Sequence, residues 1–211
     1  MHSQNYYQLC RQVARRRRDL LRHQYGRNLI YPASGQAWIP TNRDAALCES
    51  FIVLFVAELE TYLEYVVNAA LDAYQDRFIA SGLAECGAAK EYCSKIIERR
   101  KQWSKNNNAN WARIEDFFIF VGLRKSLFPD GLWDDIDVIV THRGDIAHNS
   151  GGVRIMTDPR ITIGKIEKCF AKLKLFDRDY LVWICAWAAD IERLKWLNVG
   201  FKPGLGSIST K

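Results

Sequence analysis

The stretch THRGDIAHNSGG, from Thr141 to Gly152, gathers proton-transferring and phosphate-binding side chains directly behind the apolar run IDVIV. A histidine titrates near neutral pH and can donate or accept a proton. An arginine offers a rigid, permanently charged fork that matches a phosphate and the negative charge that develops on it. In RNA the neighbouring 2′-hydroxyl supplies the nucleophile. These residue types therefore suit phosphodiester cleavage that needs no metal.

The spacing of the two central residues decides whether they can act together. Arg143 and His148 are five positions apart, so on an unbroken helix their side chains point about 140° apart. Gly144 adds backbone freedom, and a kink there would bring the pair closer. Alternatively, Arg143, Asp145 and Asn149 form a solvated face, and His148 interacts with the negative end of the helix dipole.

The segment RGDIAHNSGG resembles the signature of HEPN domains, small helical bundles that include many prokaryotic ribonucleases. That signature is an arginine followed after a few residues by a histidine, commonly written R-N-x-I-A-H. Its register is matched here by Arg143, Ile146, Ala147 and His148. The segment ESFIVLFVAELETYLEYVV is also similar to the long early helix of the RiboL-PSP-like branch, in which a glutamate lies within an apolar helix. The resemblance covers roughly residues 42–197.

The resemblance implies a definite site. HEPN ribonucleases dimerise so that both motifs face a shared cleft, in which Arg143 binds the scissile phosphate and His148 acts as general acid or base. The expected products are a 2′,3′-cyclic phosphate and a 5′-hydroxyl end, with no metal and no cofactor. Gly144 departs from the usual asparagine after the arginine, so the orienting role of that asparagine would pass to Asp145 or Asn149.

Three functions remain open at this point. The first is a metal-independent endoribonuclease, a toxin or antiphage-defence effector that acts on RNA such as tRNA and has an antitoxin or defence partner. The second is a catalytically silent HEPN module that binds RNA or a partner protein. The third is a DNA-binding helical regulator that uses the N-terminal arginines.

Two basic segments are candidate RNA-binding surfaces. The formal net charge of +6 and the sequence pI of about 9.0 favour an anionic partner without demanding nucleic acid. The predicted phosphate contacts come from RQVARRRRDLLRHQYGR and IIERRKQWSK, through Arg15, Arg16, Arg17, Arg18, Arg22, Arg99 and Arg100. Clustered arginines bind nucleic acid by releasing counterions. The alternative is a solvated face of an amphipathic helix.

Helical periodicity dominates the chain and predicts an all-α, HEPN-like bundle with an added basic N-terminal helix and a basic helical insert. We expect a basic helix and connector over 1–40, the bundle over 41–200 and a flexible tail over 201–211. We expect helices over residues 6–26, 84–105, 132–149 and 161–170. A further helix begins at residue 42 and ends between residues 70 and 78, and a short helix is capped by Asn110. The last helix begins at a cap formed by Asp177 and reaches Trp196.

Composition sets the remaining expectations. The polar start MHSQNYYQLC lacks the apolar segment of a secretory signal, and carboxylates interrupt the longest apolar stretches before they reach a membrane span. The six cysteines show no metal-binding or redox spacing, which favours reduced thiols. A cytoplasmic protein without a membrane partner is therefore expected. Glu58 and Glu60 are possible acid–base carboxylates, and Glu58 is the one expected to make a buried polar contact.

Overall fold

The computed structural model describes residues 3–25, 42–82, 87–103, 109–120, 122–148 and 159–200, apart from some side chains, chiefly those of 19–25 and 187–200. The structure is all-α, as predicted, and no strand occurs in these ranges. The α-helices are α1 Gln4–Tyr25, α2 Asn42–Ala80, α3 Gly87–Trp103, α4 Trp111–Phe120, α5 Leu132–His148 and α6 Pro159–Gly200. The SGQAWIP connector and the C-terminal tail lie outside the described residues.

Helix α2 is the central element of the bundle, as its apolar character on most sides predicts. It packs against α1, α3, α5 and α6, and its buried side chains include Phe55, Leu59, Tyr62 and Val66. Each fully buried side chain of this size contributes about 1.5–3 kcal/mol to folding. The core that surrounds α2 also takes in Tyr6, Leu9 and Val13 of α1.

Local signals in the sequence fix several helix ends. Gly82, with φ of 71°, forms the turn that follows α2, since glycine adopts this left-handed conformation without steric cost. The side chain of Asn110 accepts a hydrogen bond from the Ala112 N–H at 2.9 Å and so caps α4. Gly131, with φ of 66°, completes the FPDG turn immediately before α5. The predicted cap at Asn110 is therefore confirmed.

The prediction of two separate C-terminal helices is wrong, because α6 is one helix of 42 residues and Asp177 lies in its interior. Asp177 is fully buried and accepts hydrogen bonds from the Ser3 N–H at 2.8 Å and the Tyr62 hydroxyl at 3.0 Å. It also accepts one from the Ser3 hydroxyl. Ser3 in turn caps α1 by accepting the Tyr6 N–H at 3.0 Å. Asp177 thus holds the beginning of α1 against α2 and α6.

Aromatic packing and ion pairs fix α5 in place. Trp133 of α5 lies 4.7 Å from Trp111 and 5.0 Å from Phe128, measured between ring centroids. Asp135 binds the ammonium groups of Lys172 at 2.6 Å and Lys168 at 3.1 Å. Burial raises the pKa of Asp135, but the hydrogen bonds and charges of the two lysines lower it overall. The helix that carries the motif is therefore held to both α4 and α6.

Two further sequence expectations concern the whole described chain. Within the described ranges, no helix combines the length and the apolar character that a bilayer span requires. Four cysteines in these ranges have free thiols, and those of Cys48 and Cys169 are buried. Burial raises the pKa of the Cys169 thiol to about 12, so this thiol stays protonated and unreactive at neutral pH.

Candidate functional site

The motif lies at the C-terminal end of α5, which remains α-helical through Gly144 to His148. Because the helix is continuous from Arg143 to His148, their side chains point about 140° apart around it. Arg143 is half-buried, whereas His148 is exposed. Within one copy of the chain, the two groups therefore differ in both direction and environment.

Arg143 continues the buried face of α5. It lies four positions after Ile139 and seven after Ile136, both of which are buried, and these spacings place all three on one side of a helix. An arginine on such a face packs its aliphatic part against apolar neighbours, while its guanidinium group stays in contact with water or a polar group. Arg143 therefore lies on the side of α5 that packs into the bundle and stays partly accessible to solvent.

A buried carboxylate lies within electrostatic reach of Arg143. Glu60 of α2 is only 7% exposed, and its carboxylate accepts the Ala109 N–H at 3.4 Å. Burial raises the pKa of Glu60, while the Arg143 charge and the Ala109 hydrogen bond oppose that rise. Carboxylates that are desolvated beside a specific cation are enriched at functional sites, although structural ion pairs also produce them. The charge of Arg143 on the motif helix thus acts on a buried carboxylate of α2.

The prediction that Glu58 makes the buried polar contact is wrong, because Glu60 makes it. Glu58 is half-buried, and Glu60 is the buried one. Helical spacing could have identified it, because Glu60 lies four positions after Val56 and three before Leu63, which are both buried. The partner of Glu60 lies far away in the sequence and could not have been read from local pattern.

The start of α4 is clamped between α2 and α5. While Glu60 accepts the Ala109 N–H, Asp137 of α5 accepts the Trp111 N–H at 3.4 Å. Two carboxylates thereby satisfy amide groups at a helix N-terminus, where negative charge is favoured. This clamp fixes the position of Glu60 relative to α5, and hence relative to Arg143.

The raised pKa of Glu60 predicts how the unfolding free energy of a Glu60→Gln variant changes with pH, relative to wild type. The unfolded chain loses this proton at a lower pH than the folded protein, so the stabilising contribution of Glu60 falls as pH rises from about 4. Glu60→Gln lacks this titration. Between pH 4 and pH 7, the unfolding free energy of the variant should therefore rise relative to wild type. Urea denaturation at several pH values measures it, and an equal trend in Glu58→Gln would contradict the assignment.

The other predicted catalytic residues occupy the end of α5 or lie beyond it. Asp145 is exposed, three positions before the exposed His148, and this spacing places both on the outer face of the helix. Asn149 lies outside the described residues. His142, the second histidine of the motif, is half-buried.

The predicted RNA-binding arginines are found on helices other than α5. Arg15 and Arg18 are exposed on α1, and Arg16 is half-buried. Arg17 pairs with Glu167 of α6 at 3.0 Å, so one of the four consecutive arginines joins helices instead of facing solvent alone. The side chains of Arg22, Arg99 and Arg100 lie outside the described residues.

Two cavities lie away from the motif. One, of about 210 Å³, is lined mainly by apolar residues of α1, α2 and α6, with Arg17 and Glu167 at its edge. The other, of about 220 Å³, lies at the turn before α5. Neither cavity is lined by Arg143 or His148. In the described part of the chain, no three His, Cys, Asp or Glu side chains are grouped closely enough to hold a metal ion.

A scan against models of protein families gives no match, and searches of curated proteins and of solved structures give none either. The motif residues and their surroundings are therefore the features of the chain that point to a function. Those surroundings are a half-buried arginine beside a buried carboxylate, followed on the same helix by an exposed histidine.

Proposed function

We propose that this chain is a metal-independent endoribonuclease of the HEPN type. The observation that carries the proposal is a half-buried Arg143 whose charge acts on the buried carboxylate of Glu60, five residues before an exposed histidine. Removing a carboxylate from water costs free energy unless a cation compensates for it. A buried carboxylate on α2 within electrostatic reach of the motif helix costs stability that an apolar side chain at the same position would not, which favours a functional role.

In the proposed reaction the 2′-hydroxyl oxygen of RNA attacks the adjacent phosphorus. The new P–O2′ bond forms as the P–O5′ bond breaks, the 2′-hydroxyl proton leaves and the departing 5′-oxygen gains a proton. Arg143 stabilises the negative charge on the phosphate oxygens. His148 takes or supplies one of the two protons. The products are a 2′,3′-cyclic phosphate and a 5′-hydroxyl end.

The wider biological role follows the motif resemblance. A small ribonuclease of this kind acts as a toxin or an antiphage-defence effector in the cytoplasm, with tRNA among its candidate substrates and an antitoxin or defence-system protein as its partner. We further propose that the protein works as a homodimer, with each site completed across the subunit interface. A dimer removes the need for Arg143 and His148 of one helix to reach each other.

One observation favours a second candidate, the catalytically silent HEPN module that binds RNA or a partner protein. Gly144 replaces the polar residue that usually follows the arginine. A Cβ atom added at Gly144 would meet nothing within 4 Å, so packing within the chain does not require glycine there. A motif that lacks the orienting residue, with no packing need for glycine in its place, fits a module that binds without catalysing.

Expression in a bacterial host separates the two candidates. If the chain is a ribonuclease, wild type slows growth, whereas Arg143→Ala and His148→Ala relieve the toxicity at equal protein levels. Arg124→Ala removes another arginine, exposed and outside the motif, and should remain toxic. Equal growth of all four strains, together with RNA binding by the purified wild-type protein, would favour the silent module. Tighter binding to duplex DNA than to RNA, lost on replacing Arg15 and Arg18, would favour a DNA-binding regulator.

A further inference from the structure

The cavity of about 210 Å³ between α1, α2 and α6 has apolar walls. They are formed by Val13, Phe51, Ile163, Ile166 and Phe170, which are buried apart from the half-buried Phe170. Walls of this kind offer bound water few polar partners. Apolar cavities of about 150 Å³ bind benzene, so this cavity has room for a larger apolar group.

The cavity opens to solvent beside Ala14, a lining residue of α1 that is exposed. Arg11, Arg17 and Arg18 lie three or four positions from Ala14, which places them around it on the surface of the helix. All three arginines are exposed. Glu167 of α6 lies at the same edge of the cavity. Among these four charged side chains, positive charge prevails.

A lysine of α6 adds to the positive charge near the cavity. Burial raises the pKa of the Cys10 thiol, and the charge of Lys174 opposes that rise. Because Cys10 also lines the cavity, Lys174 lies within electrostatic reach of it. The surroundings of the cavity therefore favour an anionic ligand over a cationic one.

The ion pair at the opening can be exchanged at little cost. Arg17 Nη2 lies 3.0 Å from Glu167 Oε1, and both side chains are about half-exposed. Ion pairs that are this accessible to solvent contribute little to stability. An arginine binds a carboxylate through two parallel hydrogen bonds, so the carboxylate of a ligand can take the place of Glu167 on Arg17.

We propose that this cavity binds a small amphipathic carboxylate with an apolar body of about eight carbons. The apolar body fills the space between α1, α2 and α6, and the carboxylate binds Arg17 at the opening. This site is separate from the motif on α5, and its occupancy does not depend on whether the chain cleaves RNA.

Titration calorimetry with hexanoate, heptanoate and octanoate tests whether the apolar body enters the cavity. Each added CH₂ should tighten binding about fourfold, and the gain should stop at longer chains, when the cavity is full. Ala14→Phe places a ring at the opening and should weaken octanoate binding at least tenfold. Because Ala14 is exposed, the urea midpoint should stay near that of wild type. No binding by wild type, equal affinity along the series, or unchanged affinity in Ala14→Phe would overturn the proposal.

Anionic vesicles present a similar chain and negative head in a membrane. Wild type and Ala14→Phe should bind vesicles of phosphatidylglycerol and phosphatidylcholine equally, because surface charge alone drives that contact. Vesicle binding that is lost in Ala14→Phe, together with no binding of octanoate, would overturn the free carboxylate and assign the cavity to a membrane lipid.

The charge of the ligand and the role of Arg17 have their own test. Octanoate should bind at least tenfold more tightly than octylammonium. Arg17→Ala should weaken octanoate binding about tenfold or more and leave octanol binding unchanged, whereas Glu167→Gln should tighten octanoate binding. Arg15→Ala, an exposed arginine on the same helix, is the matched control and should stay within about twofold of wild type. Equal losses in Arg15→Ala and Arg17→Ala, or octylammonium binding as tight as octanoate binding, would overturn the proposal.

Discussion

Replacing His148 with alanine is expected to lower the rate of RNA cleavage by about 100- to 10,000-fold, the usual contribution of a positioned general acid or base. Because His148 is exposed at the end of α5, its removal takes no group out of the core. The unfolding free energy should therefore stay within about 0.5 kcal/mol of wild type. Single-turnover cleavage of labelled RNA measures the rate.

The histidine beside the arginine provides the control. His142→Ala removes the same kind of side chain from the same helix and should keep most of the activity, since His142 is not part of the proposed pair. Arg143→Ala should lose about 100- to 1,000-fold, the effect of removing one group that stabilises developing charge. Equal losses in His142→Ala and His148→Ala would contradict the assignment.

Replacing Asp177 with alanine is expected to lower the unfolding free energy by about 3–5 kcal/mol. The fully buried carboxylate accepts hydrogen bonds from the N–H and the hydroxyl of Ser3 and from the hydroxyl of Tyr62. Its loss leaves the buried Tyr62 hydroxyl and two part-buried donors of Ser3 without this acceptor, at about 1–3 kcal/mol for a buried donor, and leaves a cavity. The packing of α1 against α6 should weaken most.

The neighbouring Asp179 is the matched control for this prediction. Its carboxylate is 62% exposed and pairs with Arg178 on the surface, a contact worth at most about 1 kcal/mol. Asp179→Ala should therefore unfold at nearly the wild-type urea concentration, whereas Asp177→Ala should unfold at a much lower one. Similar midpoints for the two variants would show that Asp177 does not hold α1.

Local patterns in the sequence predicted much of the fold. Apolar periodicity identified α2, and the Asn110 cap and the FPDG turn fixed the ends around α4 and α5. The continuous α6 was missed because Asp177 resembles a helix cap in isolation. Its true partners, Ser3 and Tyr62, lie 174 and 115 positions away, and such tertiary contacts leave no local trace.

The candidate site, like the fold, was predicted from the sequence only where local pattern determines it. The motif predicted Arg143 and His148 from residue types and spacing, and the helix that carries them is confirmed. The contribution of Glu60 depends on which face of α2 meets α5, and this is a property of packing. Likewise, the ion pair of Arg17 with Glu167 joins two helices that are distant in sequence. The pattern of charges in the sequence therefore could not show that Arg17, and not a neighbouring arginine, forms this ion pair.

The end chemistry of RNA fragments produced in the presence of EDTA tests the central claim most directly. Purified wild-type protein should cleave RNA in excess chelator and leave 2′,3′-cyclic phosphate and 5′-hydroxyl ends, since attack by the 2′-hydroxyl needs no bound metal. Intact RNA across varied substrates including tRNA, or fragments with 5′-phosphate ends that appear only when a divalent metal is restored, would contradict it.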